Sequence, residues 1–364
     1  MVSGGTPAAK ITGMGHAVPP RYEQQAVWEA FFARHYAAVP AAERIFATAG
    51  IRTRHAVANP AGEDVSCWGT AARMQRYLAE AVPLGKDAVA AALTDAGVAA
   101  CDVGLLAVAS CTGYVTPGID IRLARDLAMS ADVQRLLVGH MGCYAAIPGL
   151  GAVSDFAAAR GRPAVLLCLE LPTLHIQPAT DEVDQVVAHA LFADAAAAVV
   201  VQPGDGAGDA GDGAAAGPPG YAVLDIAART DVSTAEYMTW DVTDAGFRMG
   251  LSPRVPAVLA RHVRDMVAGL LGRNGLRLSD VDGWAVHPGG RRILEVVGRR
   301  LELPAGALDA SYGVLRDYGN CSSATVLLVL GRLRSAGAVS PGRHAVAMAF
   351  GPGLTLYAAL LRAA

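Results

Sequence analysis

The chain has few charged or aromatic residues and no clustered charge. Charged residues make up 17% of its 364 residues and aromatic residues 6%, with a formal net charge of −3. Lysine and arginine are scattered, and no basic run exceeds a pair such as Arg291-Arg292. This pattern predicts no nucleic-acid partner. Hydrophobic residues make up 53%, which excludes a disordered chain and predicts a large buried core.

Long hydrophobic runs are also missing. The first twenty residues, MVSGGTPAAKITGMGHAVPP, lack the apolar centre of a signal peptide, and Gly, Asp or Arg interrupts every later apolar stretch. We therefore expect a cytoplasmic protein with no membrane-spanning segment. The six cysteines form no C-x-x-C pair, which argues against a disulfide framework and against a zinc cluster. No metal site is predicted.

Continuous apolar runs indicate strands that are buried on both faces. They are GLLAVAS (104–110), PAVLLCLEL (163–171), AAAAVVVQP (195–203), GWAVHP (283–288) and HAVAMAF (344–350). Helical stretches lie between them, for example at 85–98 and 253–276. The sequence thus predicts an α/β protein with helices covering a buried sheet.

The same unit occurs twice along the chain. LTDAGVAACDVGLLAVASCTG and LLGRNGLRLSDVDGWAVHPGG both read as a helix end, a turn, Asp-Val, a strand and a polar loop. A segment of Gly, Ala, Asp and Pro at 203–220 cannot form a core. We therefore predict two duplicated halves, residues 1–220 ending in this segment and residues 221–364.

Cys143 is the first candidate for chemistry. It stands in GHMGCYAAIPGL, between a glycine and a predicted helix. A helix N-terminus offers free N–H groups and the positive end of the dipole, which would lower the pKa of a thiol there. The alternative is a buried core cysteine, which is the commoner environment for this residue.

Two polar residues of the second half favour a reactive Cys143. His287 ends a predicted buried strand in WAVHPGG, and Asn320 stands before a predicted helix in DYGNCSSA. Each alone has an ordinary structural explanation, a packed histidine or a helix cap. Together, a thiol, an imidazole and an amide supply a nucleophile, a base and oxyanion donors for acyl transfer.

Eight segments, in order, resemble the type III polyketide synthases of the chalcone and stilbene synthase superfamily. They are ITGMGHAVPP, SCTGYVTPGID, GHMGCYAAIPGL, HALFADAAAAVVV, GFRMGLSPRVP, WAVHPGGRRIL, DYGNCSSATVLLVL and AFGPGLTL. The resemblance implies a thiolase-like fold with a layered αβαβα arrangement, a homodimer, and a Cys-His-Asn triad at Cys143, His287 and Asn320.

The resemblance also implies the reaction. Cys143 would take an acyl starter from an acyl-CoA, and malonyl-CoA would decarboxylate and extend the chain, which would then cyclise to a pyrone or resorcinol-like ring. His287 would keep the Cys143 thiolate charged and, with Asn320, bind the thioester oxygen. No metal or redox cofactor is implied.

Further site residues follow from the same match. Phe192 would be the gatekeeper between the CoA tunnel and the cavity, and Arg44 and Arg292 would meet the CoA phosphates, with Arg52, Arg54 or Arg291 as substitutes. Ala193 and Ala195 stand where the family commonly has glycine. The expected cavity residues are small or slender, which predicts room for an aliphatic or extended chain: Cys111, Thr112, Thr116, Gly246, Met249 and Ser322.

Two other functions remain open at this point. One is a ketoacyl-ACP synthase III-like enzyme that uses carrier-protein substrates, which the HPGG motif disfavours. The other is a catalytically idle dimeric scaffold, which would have no need for three polar residues at element ends. His140 and Tyr144, which flank Cys143, could affect cyclisation or simply pack.

Overall fold

The computed structural model describes residues 9–204 and 220–364. Its strands are β1 (Ala9–Ala17), β2 (Arg21–Glu23), β3 (Thr53–His55), β4 (Leu105–Ala109), β5 (Gln134–Val138), β6 (Ala164–Glu170), β7 (Ala195–Pro203), β8 (Tyr221–Thr230), β9 (Met238–Thr243), β10 (Gly246–Leu251), β11 (Val281–Val286), β12 (His344–Gly351) and β13 (Thr355–Ala363). Its α-helices are α1 (Gln24–Val27), α2 (Ala33–His35), α3 (Ala42–Thr48), α4 (Thr70–Ala96), α5 (Ile119–Asp126), α6 (Ala146–Arg160), α7 (Val183–Leu191), α8 (Val255–Arg273), α9 (Arg291–Arg300), α10 (Asp309–Tyr318) and α11 (Ala324–Ser335).

The main sheet contains two similar sets of strands. Its order is β11-β12-β13-β8-β1-β7-β6-β4-β5. In the first half, β4 and β6 are parallel, and β6-β7 and β7-β1 are antiparallel. In the second half, β11 and β12 are parallel, and β12-β13 and β13-β8 are antiparallel. The identical pattern confirms the predicted duplication, and among the described residues the short β1-β8 pairing alone joins the two sets of strands.

Helices form three layers around these strands. The central helices α6 and α11 contact strands of both halves, α4 packs on β1, β7 and β6, and α8 packs on β8 and β13. The buried apolar residues form three clusters, one around the central helices and one beneath each outer layer. This is the predicted αβαβα arrangement, and inner strands such as β4, β6 and β7 are buried along most of their length because helices cover both faces.

The first outer helix differs from its prediction. It was expected at 85–98, but α4 spans Thr70–Ala96 and contains Pro83. Proline interrupts a helical ladder, yet the buried face that includes Tyr77, Ala81 and Ala88 continues through it. Packing of this face on the sheet outweighs the local propensity.

Two other expectations concern the linker between the halves and membrane-spanning helices. Most of the Gly-, Ala-, Asp- and Pro-rich segment at 203–220 lies outside the described residues, so the division of the chain at residue 220 stays a prediction. None of the described helices combines the length and apolar character needed to cross a bilayer.

Candidate active site

Cys143 lies immediately before the central helix of the first half. It is the middle residue of a 3₁₀ turn, Gly142–Tyr144, which leads into α6. The preceding Gly142 has φ +63°, and a Cβ there would lie 2.9 Å from the Pro352 ring. Only glycine fits this position without strain, so the GC pair fixes the thiol at the helix start, where it is 6% exposed.

The thiol is not acidified by its position. Burial raises the pKa of Cys143 to about 12, although the Ser322 hydroxyl and the Cys143 N–H both favour the thiolate. The expected fall in pKa is therefore wrong for this structure. Desolvation of the charged form outweighs the favourable dipole and hydrogen bonds.

His287 follows β11 and is completely buried. Its backbone N–H donates to the Met348 carbonyl oxygen at 2.8 Å, and its ring lies edge-on to Phe350 with centroids 5.7 Å apart. Within the described residues, neither ring nitrogen has a hydrogen-bond partner. Burial lowers the pKa of His287 to about 3, so the imidazole is neutral near pH 7 and has both nitrogens free.

The end of β12 connects His287 to Cys143. Phe350 packs on the His287 ring, and a Cβ at the next residue, Gly351, would lie 3.3 Å from the Cys143 backbone nitrogen. The end of β12 therefore contacts both the His287 ring and the Cys143 backbone.

Asn320 is held by backbone and side-chain hydrogen bonds. Its N–H donates to Leu191 O at 2.9 Å, its carbonyl oxygen accepts from Ala193 N at 3.0 Å, and it forms a bridge with Phe192. Its Oδ1 accepts from Ser322 N at 2.9 Å. This fixes the orientation of the amide, whose Nδ2 donates to no described group, as a free oxyanion donor would require.

Asn320 stands slightly earlier than predicted. It lies four residues before α11, whose N-cap is Ser323. Ser322 between them has φ +47°, a conformation that side chains other than glycine seldom adopt and that often occurs at functional sites. Ser322 links the two halves of the site, because its N–H donates to Asn320 Oδ1 and its hydroxyl lies 3.8 Å from Cys111 Sγ and favours the Cys143 thiolate.

A cavity of about 590 Å³ opens at Cys143. Of the residues that the sequence assigned to the cavity, the structure brings five to its wall: Phe192, Cys111, Thr112, Met249 and Ser322. Most of the remaining wall is apolar, formed by Met74, Leu137, Pro172, Met238, Val242, Trp240, Phe247 and Pro352. His287 and Asn320 are not among the residues that line the cavity, but Asn320 bonds to Ser322, which does line it.

Two expected cavity residues lie elsewhere. Thr116 is exposed, with its hydroxyl 3.3 Å from the Tyr114 hydroxyl. Gly246 begins β10, and its side-chain position faces away from the cavity. A Cβ there would lie 2.6 Å from the buried Arg73 side chain and 2.9 Å from that of His175. Their assignment to the cavity is corrected accordingly.

Sequence reasoning missed the aromatic part of the wall. Trp240 donates its indole N–H to Cys111 O at 2.8 Å and, with Phe247, narrows a cavity that was expected to be lined by slender residues. The β9-β10 hairpin supplies both. The signal was present: Met238, Trp240 and Val242 alternate along β9, as residues on one face of a strand must.

A buried carboxyl group stands behind the cavity wall. Glu170 ends β6 and accepts hydrogen bonds from Thr112 Oγ1 at 2.7 Å, Ser323 Oγ at 2.6 Å and Cys111 N at 3.0 Å. Burial raises the pKa of Glu170 to about 7, even though these donors favour the charged form. Glu170 thus ties the Cys111-Thr112 loop to the start of α11.

The predicted phosphate-binding arginines differ in availability. Arg44 on α3 and Arg292 on α9 are exposed, whereas Arg52 pairs with Asp317 at 3.1 Å. Arg54 is buried and donates to Gln24 Oε1 and to the His189, Ala190 and Phe192 carbonyl oxygens. Arg54 is therefore not available as a substitute phosphate ligand.

Both halves of the chain match one protein family. Residues 3–205 match the N-terminal domain of the chalcone and stilbene synthases, and residues 224–364 match the C-terminal domain. The chain is 36% identical to a 1,3,6,8-tetrahydroxynaphthalene synthase of Streptomyces peucetius subsp. caesius, over 88% of this chain and 82% of that protein. It is 34% identical to an alpha-pyrone synthesis polyketide synthase-like protein of Mycobacterium tuberculosis, over 78% and 71%.

Solved structures agree with these relatives. PKS-I of the brown alga Ectocarpus siliculosus superposes with a TM-score of 0.89 at 30% identity, covering 99% of both chains. The 1,3,6,8-tetrahydroxynaphthalene synthase of Streptomyces coelicolor gives 0.88 at 28% identity, covering 97% of this chain and 99% of that one. With a duplicated αβαβα fold around a cysteine at the start of a central helix, this chain belongs to the chalcone and stilbene synthase family and is a type III polyketide synthase, an acyltransferase.

Proposed function

We propose that Cys143 carries the growing acyl chain, that His287 exchanges a proton with its thiol, and that His287 and Asn320 donate hydrogen bonds to the reacting oxygens. The observation that supports this most is the fully buried His287 imidazole, neither of whose nitrogens has a partner among the described residues. Leaving a buried polar group unpaired destabilises a fold. In the proposed reaction, the Cys143 thiol proton or the thioester oxygen is the hydrogen-bond partner of the His287 imidazole.

In the loading step, Cys143 Sγ attacks the carbonyl carbon of an acyl-CoA. Because burial holds the Cys143 pKa near 12 and the His287 pKa near 3, thiol and imidazole both begin neutral. The thiol proton passes to His287 as the C–S bond forms and then to the departing CoA sulfur. The products are an acyl-Cys143 thioester and free CoA.

In the extension step, malonyl-CoA loses CO₂ and the resulting enolate attacks the acyl-Cys143 carbonyl, so that the new C–C bond forms, the C–Sγ bond breaks and the extended chain is a β-ketoacyl-CoA. The expelled Cys143 thiolate then attacks the thioester carbonyl of this product, which returns the chain to Cys143 and releases CoA, whose sulfur takes a proton from water. The enolate and the tetrahedral intermediate both place negative charge on oxygen. Asn320 Nδ2–H and a neutral His287 N–H are fixed donors for that charge. Each step is an acyl transfer or a carbon–carbon bond formation, so the proposed chemistry calls for no metal or redox cofactor.

The cavity favours an aliphatic starter. Its wall is mostly apolar, with methionine, leucine and valine at Met74, Leu137 and Val242, and flexible apolar side chains accommodate alkyl chains. Trp240 and Phe247 limit its width. We propose a slender acyl-CoA as starter and malonyl-CoA as extender.

Two exposed arginines suit the CoA phosphates. Arg44 lies on α3 and Arg292 on the first turn of α9. The loop after α3 approaches the start of α9, because a Cβ at Gly50 would lie 3.8 Å from Arg291 Cβ. We assign Arg44 and Arg292 to the CoA phosphates, which guanidinium groups bind in bidentate fashion.

A second copy of the chain is the proposed partner. The edge strand β5 pairs only with β4, and its Leu136 and Leu137 are 39% and 56% exposed. An unpaired apolar edge is a template for strand pairing. We propose a homodimer through β5; light scattering at the mass of one 37.3 kDa chain would exclude it.

The reaction is tested with purified protein and a series of acyl-CoAs from C2 to C16, with and without malonyl-CoA. We expect malonyl-CoA-dependent release of CO₂ and CoA, together with cyclised products whose mass equals the starter plus whole C₂ units. A medium-length aliphatic starter should give the highest kcat/KM. No product with any acyl-CoA would contradict the proposed substrate class.

A further inference from the structure

His140 is a cavity residue that the proposed reaction does not yet use. It lies three residues before Cys143, lines the same cavity, and is exposed to it. No hydrogen bond or ion pair links its side chain to the part of the chain that the structure describes. The sequence left open whether His140 packs or acts in cyclisation, and its exposure argues against packing.

The other titratable groups around this cavity are poorly suited to proton transfer at neutral pH. Burial raises the thiol pKa of Cys111 and Cys143, and Tyr114 is a phenol. Among the described residues, no Asp, Glu, Lys or Arg lines the cavity; Glu170 stands behind Cys111 and is already hydrogen-bonded. A neutral imidazole has one nitrogen that accepts a proton and one that donates a proton.

We propose that His140 transfers the proton that releases the finished chain from Cys143 as a lactone. This rests on the proposed function, because it requires a polyketide thioester on Cys143. His140 accepts the proton of the enol oxygen at C5 of a triketide as that oxygen attacks the thioester carbonyl carbon. The C1–O bond forms, the C1–Sγ bond breaks, and His140 returns the proton to Cys143 Sγ.

The chemistry of the leaving group explains why release calls for a donor. A thiolate expelled into a buried site is costly when burial holds its pKa near 12. Protonation of Sγ as the C–S bond breaks removes that cost. The product is an α-pyrone, and Cys143 returns to the thiol form in which the cycle began.

The test compares wild type with His140→Gln and His140→Ala in rapid-quench experiments with a starter acyl-CoA and malonyl-CoA. We expect triketide-Cys143 to accumulate in both variants and α-pyrone release to slow about 10- to 100-fold, a loss at the low end of general acid–base catalysis. Added imidazole should restore release in His140→Ala.

The matched control is His344→Gln, the same substitution at the start of β12 and away from the cavity wall; its release profile should equal that of wild type. An unchanged release rate in both His140 variants would overturn the inference, and so would a resorcinol-type ring as the only wild-type product. If wild type never acylates Cys143, the proposed function itself fails. Loading is read by protein mass and release by product, so the two failures are distinguishable.

Discussion

Replacing Cys143 with alanine is expected to abolish acyl loading completely. Wild-type protein incubated briefly with an acyl-CoA should gain the mass of one acyl group, and Cys143→Ala should gain none. The variant removes one buried sulfur from a small side chain, so the fold should persist. Turnover with malonyl-CoA should fall to background, because a covalent intermediate cannot form without its nucleophile. Intact-protein mass spectrometry measures the first effect and product analysis the second.

Peptide mapping separates Cys143 from the second thiol of the cavity. Trypsin should release residues 136–160 with Cys143 as the only cysteine, whereas Cys111 falls in residues 87–122. The acyl group should be found on the first peptide. Cys67→Ser, which removes an exposed thiol, is the control and should load like wild type. An acyl group on the Cys111 peptide, or a mass gain in Cys143→Ala, would contradict the assignment.

Much of this architecture could be predicted from local sequence patterns. The continuous apolar runs at 104–110, 163–171 and 344–350 coincide closely with β4, β6 and β12. Strands buried on both faces must be apolar throughout, so this signal is strong. The repeated Asp-Val turns also predicted the duplication, because equivalent elements of the two halves require equivalent connections.

The cavity wall was harder to predict than the candidate triad. Cys143, His287 and Asn320 stand beside glycine turns and element ends, which leave local signatures. Trp240 reaches the cavity only because β9 and β10 fold back over it, and its contact with Cys111 joins residues 129 positions apart. Similarly, burial decides the pKa values of Cys143 and His287, and local sequence does not reveal how much solvent a fold excludes.

Asn320→Asp is expected to slow chain extension about 100- to 1000-fold, the usual effect of losing one oxyanion donor. Aspartate keeps the Oδ1 acceptor that Ser322 N–H uses at 2.9 Å, so the local backbone should be retained. It replaces the Nδ2–H donor with negative charge, which repels the enolate and the tetrahedral oxyanion. Malonyl-CoA decarboxylation, followed as CO₂ release, measures the effect without interference from cyclisation.

Asn59→Asp is the matched control for this substitution. Asn59 Oδ1 also accepts a hydrogen bond from the N–H two residues later, that of Ala61, at 3.1 Å. The same substitution there measures the structural effect of the change at a position outside the active site. It should decarboxylate at the wild-type rate, and an Asn320→Asp enzyme as fast as wild type would remove Asn320 from the mechanism.

Because burial keeps the His287 pKa near 3, His287 should stay a neutral donor down to about pH 4. Wild-type decarboxylation should therefore show no acidic limb from His287 above about pH 4.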